Sequence, residues 1–395
     1  MKESIFIQFN RGLNKMTEEL KLETLKDLIQ CQESPCISIY MSTKAVHKGE
    51  FKKLEIEFKN LLQQVEEKLK TNWGFKEREI NKLLEPAFKL ASDSNFWQQQ
   101  KEGLAVFISS ENFRSFKLSV DTYDSAHVSY NFNLKQLISE VHDSQEYYLL
   151  ALSSNHNQLY RVNRNEIEEF DLEELPQNIK EFLNLDEEAA EKYQSINTAG
   201  SSSVFHGQGA AGDDDNEDLL HYLKEIDRVI NSELKDKKNH LIVAADDSVF
   251  SLYKNINNYQ GLLDEHLSGN ARQMNKKELR EKSWEIIDSH IHDYLEEIKE
   301  RYMEIKSSDK SSSELEEIVE AAHFGKVDTL VLNKLAEKAG VFIEDENEVK
   351  LMENTKDYDL YNYAASETIK HGGLVYSIEK EDMPEETDIL AIYRY

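Results

Sequence analysis

Apolar positions recur at two periods along this chain, and the switches between periods mark its elements. "TEELKLETLKDLIQ" places Leu20, Leu22, Leu25 and Leu28 near helical spacing. "CISIYMST" is a short apolar, β-branched run and predicts a buried strand. In "FKKLEIEFKNLLQQVEEKLK", Leu54, Phe58, Leu61, Leu62, Val65 and Leu69 form one stripe whose other faces carry Lys and Glu, which predicts an amphipathic helix. "EREINKLLEPAFKLA" predicts another, and "GLAVFIS" and "FRSFKLSV" read as strands. These elements predict a first α/β domain over residues 1–143.

A second domain is expected over 144–274. "EYYLLALSSNHNQLYRV" holds two strand-like runs around Asn155, His156 and Asn157, which suits a hairpin. Residues 165–191 are strongly acidic and read as a solvated helical face and linker. The stretch "SSSVFHGQGAAGDDD" follows, small and glycine-rich and then acidic. Leu219, Leu220, Leu223, Ile226, Val229 and Ile230 recur at helical spacing, "HLIVAADD" reads as a buried strand, and "SVFSLYKNI" as the helix after it. A third domain, 275–395, opens with a long helix carrying Trp284, Ile287, Ile291, Leu295, Ile298 and Tyr302. "DKSSS" reads as a loop and helix start. "ELEEIVEAAHFGKVDTLVLN" is then helix, glycine stop at Gly325 and strand. "DLYNYAASETIKHGGLVYSI" repeats that grammar with a stop at Gly372 and Gly373, and "DILAIYRY" closes the chain as a strand. The expected fold is mixed α/β (α+β) in three domains.

Composition sharpens this. Of 395 residues 39% are hydrophobic, enough for real cores, while 31% are charged. The net charge of -29 argues against nonspecific nucleic-acid binding, which runs on phosphate neutralisation, and favours a basic protein partner; it leaves room for a local basic face. The two cysteines, Cys31 and Cys36, fit inert thiols in a reducing compartment, although their spacing makes a disulfide conceivable. No segment approaches the ~20 apolar residues of a membrane span. The N-terminal stretch lacks the apolar core and cleavage site of a signal peptide, so the expected location is the cytoplasm.

Enzyme motifs are scarce. The chain has no Walker loop, GxGxxG or HExxH, and His290 and His292 fall on different helix faces, so neither a metal nor a cofactor is expected. His206-Gly207-Gln208-Gly209 remains. Glycines around one glutamine let the backbone approach a target closely. Glutamine can orient a water or hydroxyl but has no pKa for base catalysis. By spacing alone the stretch reads better as a flexible linker than as a functional loop.

The order of these pieces is more specific than any one of them. "CISIYMST" with the "KNLL" helix and "GLAVFIS", then "FHGQGAAGDDDNEDLLHYLKEIDRVI", "HLIVAADDSVFSLYKNI", "IVEAAHFGKVDTLVLN" and "ETIKHGGLVYSI" with "DILAIYRY", resembles the archaeal and eukaryotic class-I peptide chain release factor family. It resembles the bacterial relatives of that family more closely. The resemblance implies a tRNA-mimicking, release-factor-like arrangement. The first domain would reach the decoding centre and the middle one the peptidyl-transferase centre. The third would meet a translational GTPase, such as one of the elongation factor Tu type. It maps Gln208 onto the glutamine that helps water attack peptidyl-tRNA in the P site, and Gly207 onto the second glycine. His206 stands where the family has its first glycine, and Asp213, Asp214 and Asp215 replace basic residues that suit rRNA. The aspartates also suit the positive end of the following helix. Pelota-type rescue factors and the hibernation factor Balon belong to the same family and lack a working glutamine loop.

Three functions stay open at this stage. The first is a ribosome-associated factor docking in the A site in stress, rescue or hibernation. Its RNA contacts would come from Lys44, Lys48, Lys52 and Lys53, and from Lys276, Lys277, Arg280 and Lys282. The second is a peptidyl-tRNA ester hydrolase using Gln208. The third is a protein-binding adaptor unconnected with ribosomes.

Overall fold

A computed structural model of the chain describes residues 20, 22–31, 33–44, 51–143, 146–153, 156–183, 211–237, 239–269, 274–352 and 358–395. The chain divides into two compact units. One combines Met1–Ser144 with Glu296–Tyr395, and the other is Gln145–Leu295.

The first stretch runs α1 (Leu22–Ile29), β1 (Cys36–Ser42), α2 (Phe51–Thr71), α3 (Glu77–Ala91), α4 (Ser94–Gln98), β2 (Gly103–Ile108), β3 (Phe113–Leu118), β4 (Ser125–Ser129) and α5 (Lys135–Asp143). Its sheet has the order β3-β2-β1-β4, with antiparallel neighbours throughout. β1 is buried from Cys36 to Met41, Ser38 included, because it is covered on both faces. Ile37, Ile39 and Met41 meet Phe58, Leu62 and Leu84 of the helices, while Cys36 and Tyr40 point into a second core on the other face.

The middle unit holds β5 (Tyr147–Ala151), β6 (Gln158–Val162), β7 (Ile167–Glu169), α6 (Ile179–Leu183), α7 (Ala211–Leu234), β8 (Leu241–Ala245), α8 (Asp247–Ile256), β9 (Leu267–Ser268) and most of α9 (Lys276–Ile305). The sheet order is β7-β6-β5-β8-β9. β5 pairs with β8 in parallel and with β6 in an antiparallel hairpin, as the sequence predicts around Asn155 to Asn157. Leu150, Val243 and Ala245 face α7 and α8; Leu149, Ile242 and Ala244 face Leu279 and Ile287 of α9. The acidic stretch is more structured than a solvated linker. Ile167–Glu169 adds a strand to β6, its alternate side chains being free to stay in water at a sheet edge.

The last stretch completes the first unit with β10 (Ser311–Ser312), α10 (Leu315–His323), β11 (Val327–Asn333), β12 (Gly340–Ile343), β13 (Glu348–Leu351), α11 (Leu360–Lys370), β14 (Leu374–Ile378) and β15 (Ile389–Tyr393). Its sheet runs β10-β15-β11-β14, with β11 and β14 parallel. "DKSSS" departs from the expected loop: Ser311 and Ser312 pair with β15, and α10 starts only after Glu314. The predicted glycine stops hold. Gly325 and Gly372 have φ of +68° and +76°, a region where a Cβ is costly.

The two ends of the chain share one core. Tyr40, Phe107 and Leu137 from the first stretch pack with Val319, Leu330 and Ala364 from the last. Polar groups cross the same boundary. Asn362 accepts from the Leu134 N–H at 2.7 Å and donates to the Phe132 carbonyl at 2.8 Å. The Lys135 ammonium, almost wholly buried, meets the Asp359 carboxylate at 2.5 Å and donates to the Ala336 carbonyl.

Candidate functional site

The stretch that carries His206, Gly207, Gln208 and Gly209 lies outside the described residues, but the helix after it does not. α7 begins at Ala211 and runs 24 residues, so Gln208 is tethered three positions before a long helix. Asp213, Asp214 and Asp215 fall in the first two turns of α7, at the positive end of its dipole. The later turns are held firmly. Tyr222, Leu223, Ile226 and Ile230 are buried against the sheet. The Tyr222 hydroxyl accepts from Asn157 Nδ2 at 2.5 Å and donates to the Ser153 carbonyl at 3.4 Å. Burial pushes that hydroxyl's pKa well up, so it stays protonated and able to donate. Asn157 also donates to the Pro176 carbonyl at 2.7 Å. The β5–β6 turn, the segment after β7 and α7 are thereby locked together.

The basic residues fall into three kinds of environment. Lys44 and Lys52 are exposed, and Lys53 is exposed with Glu57 at 3.7 Å; Lys48 lies outside the described residues. Lys276 pairs with Glu169 at 2.8 Å, which raises its pKa, and Lys277 approaches Glu281 at 3.8 Å. Lys282 is exposed. Arg280 is three-quarters buried and donates to the Asn165 carbonyl at 2.6 Å, so it fastens the β6–β7 turn to α9.

A cleft of about 590 Å³, lined by Lys224, Arg228, Asn231 and Lys235 of α7 and its C-terminal end, and by Asn258, did not figure among the sequence candidates. The signal was present, since those four positions recur at i, i+4, i+7 and i+11 on one helix face. Arg228 is already engaged by Glu174 at 3.0 Å and Glu225 at 2.8 Å. Asp227, in the same cleft, accepts from Asn258 Nδ2 at 2.7 Å. At the carboxyl end of β8, Asp247 accepts from Ser268 Oγ at 2.6 Å and from His266 Nε2 at 3.0 Å, and both bonds lower its pKa. The His266 ring stacks on Phe250 at 4.0 Å. Among the described residues, no group of three or more His, Cys, Asp or Glu side chains is placed to hold a metal. No helix among them is long and apolar enough to cross a membrane.

Residues 147–289, from β5 into α9, match the family model described as bacterial archaeo-eukaryotic release factor family 7. No curated protein sequence matches the chain. Among solved structures, an archaeal translation termination factor, aRF1, is 13% identical over 96% of this chain and 99% of its own, with a TM-score of 0.22. Dom34 of S. cerevisiae, described as a translation termination-like factor interacting with Hbs1, is 15% identical over 74% of this chain and 79% of its own, at a TM-score of 0.35. Archaeal Pelota, in a ribosome-bound model with ABCE1, is 11% identical over 74% and 77%, at 0.39. Over residues 147–289, therefore, the chain is similar to the bacterial relatives of the archaeal and eukaryotic release factors.

Proposed function

We propose that the chain is a ribosome-associated translation factor of the cytoplasm that docks in the A site during stress, rescue or hibernation. One observation carries this reading: the release-factor family match covers the stretch in which Gln208 stands three residues before α7 in the sequence. In this reading the chain works as three domains, 1–143, 144–274 and 275–395. Its partners are rRNA of the decoding and peptidyl-transferase centres, a translational GTPase of the elongation factor Tu type, and P-site tRNA. Lys44, Lys48, Lys52 and Lys53, and Lys276, Lys277, Arg280 and Lys282, supply local positive charge for RNA in a chain of net charge -29. Exposed ion pairs such as Lys53–Glu57 and Lys277–Glu281 are worth about 0–1 kcal/mol, so exchanging the carboxylate for a phosphate costs little. Sucrose-gradient sedimentation of lysates tests the proposal. After starvation or cold shock the protein should migrate with ribosomes; a protein that stays with free protein under both conditions defeats it and leaves the adaptor reading.

A second reading, peptidyl-tRNA ester hydrolysis, draws on the retention of Gln208 between Gly207 and Gly209. Glutamine there would orient the attacking water, and the glycines would admit the backbone to a crowded cavity. Peptide release from loaded ribosomes, wild type against Gln208→Ala, decides it. A drop of ~100-fold or more supports hydrolysis, in the range that single positioning groups contribute. Equal release, or none from either, removes it.

A further inference from the structure

The chain has two cysteines, and the fold brings them together. Cys31 lies just past α1, its N–H bonded to the Leu28 carbonyl at 3.3 Å. Cys36 is the first residue of β1. Their Sγ atoms stand 3.9 Å apart, both as free thiols. A disulfide needs about 2.05 Å, so closure asks for a sulfur displacement of about 2 Å, within reach of side-chain rotation on a short connecting segment.

The two thiols differ in the way an oxidisable pair requires. Cys36 is completely buried and donates its S–H to the Glu33 carbonyl at 2.9 Å, whereas Cys31 is only half-buried. Glu33 is itself held in place, its Oε2 accepting from Ser109 Oγ at 2.5 Å and Asn112 Nδ2 at 3.2 Å, so the segment between the thiols is anchored to the β2–β3 turn. Burial, Cys31 and the Glu33 carboxylate all push the Cys36 thiol up, which keeps it protonated and leaves Cys31 as the sulfur that meets a reagent from solvent.

We propose that Cys31 and Cys36 form an oxidisable dithiol that hydrogen peroxide converts into an intramolecular disulfide. The Cys31 thiolate attacks one peroxide oxygen; an S–O bond forms, the O–O bond breaks, and the departing hydroxide takes up the thiol's proton as water. The Cys36 sulfur then attacks the Cys31 sulfenic acid. The S–S bond forms, and the Cys36 proton leaves with the sulfenic oxygen as a second water. Two thiols are oxidised and one hydrogen peroxide is reduced. The bridge ties the end of α1 to the start of β1. Leu25 and Leu28 of α1 sit in the core shared by the first and last stretches of the chain, so oxidation fastens that core. The proposal does not depend on ribosome binding.

The test uses the reduced full-length chain, treated with hydrogen peroxide in the presence of glutathione as an internal standard, then unfolded, alkylated and weighed by mass spectrometry. Both thiols should vanish together with the loss of two hydrogens, reversibly on adding dithiothreitol. Amides of Leu22–Ile29 in the oxidised form should exchange at least several-fold more slowly. Cys31→Ser, at the half-exposed position, should leave Cys36 oxidising about tenfold or more slowly, as a buried, protonated thiol does. Cys36→Ala should strand Cys31 as a sulfenic acid that dimedone captures. Any of three results overturns the proposal: both wild-type thiols still fully alkylated once half the glutathione is oxidised, a disulfide formed only between chains, or wild-type Cys31 halting at sulfenic acid.

Discussion

Replacing Lys135 by methionine keeps most of the side-chain volume and removes one charge from the junction between the first and last stretches of the chain. The ammonium is 3% exposed and the Asp359 carboxylate 16%, at 2.5 Å. With an effective dielectric of ~20, the attraction at that distance is about 6–7 kcal/mol before costs. The variant no longer has to desolvate an ammonium, and Asp359 keeps its bonds from the Lys338 and Tyr361 N–H groups at 3.2 Å, so roughly half of that term is offset. A net loss of ~3 kcal/mol follows, at the low end for a broken buried pair. Adding Asp359→Asn removes the stranded charge while an amide oxygen still accepts both N–H bonds. The double variant should therefore recover to within about 1 kcal/mol of wild type. Native-state hydrogen exchange is the suitable assay, because it reads each strand separately in a chain of two units. Exchange should accelerate roughly 100-fold, the equivalent of ~3 kcal/mol, in both Cys36–Ser42 and Ile389–Tyr393. Acceleration in the first strand alone would refute the shared core, and equal loss in single and double variants would refute the charge argument.

Asn362→Ala removes two bonds across the same junction and leaves the Phe132 carbonyl and Leu134 N–H without them; a cost of ~2–3 kcal/mol is expected in urea titration, and a loss under 1 would contradict it. Gly373→Ala places a Cβ 2.7 Å from Thr368 Cγ2 and 2.8 Å from the Val327 carbonyl oxygen, so α11 and β11 must part; the expected loss is about 1–3 kcal/mol in thermal unfolding. Gly372→Ala meets open space but a φ of +76°, and should cost only ~1 kcal/mol. In the middle unit, burial and the neighbouring His290 hold the His240 imidazole below its usual pKa. The unfolded chain then binds more protons than the folded one as pH falls through ~6.5, so stability is full above that value and declines below it. Exchange in Leu241–Ala245 should rise between pH 7.5 and 5.5 beyond the intrinsic rate change, and less so in His240→Asn; an identical profile in both rejects the assignment.

Local patterns made many elements legible. The stripe from Leu54 to Leu69 is the buried face of α2, and the glycine stops at Gly325 and Gly372 end helices as read. Elements with a short or mixed pattern of their own were not legible. β4 and the β12–β13 hairpin have weak alternation of their own, and β4 owes its place to β1, nearly ninety residues earlier. β7 hid in an acidic run because an edge strand keeps its side chains in water.

The candidate site divides in the same way. The family resemblance of the middle unit and the order of helix and strand around His206-Gly207-Gln208-Gly209 came from residues in sequence. Which lysines stand open and which are engaged did not, because Glu169 and Asn165 reach Lys276 and Arg280 only through the fold. The sequence by itself determined the periodicities, the acidic balance, the motif order and the positions of the cysteines, since each rests on neighbours along the chain. Only the tertiary structure decided that Tyr40 and Leu330 share a core, that Asn362 holds Leu134, and that Cys31 and Cys36 stand 3.9 Å apart. Burial and side-chain approach depend on surfaces that meet after the chain has folded back on itself, and no local pattern encodes them.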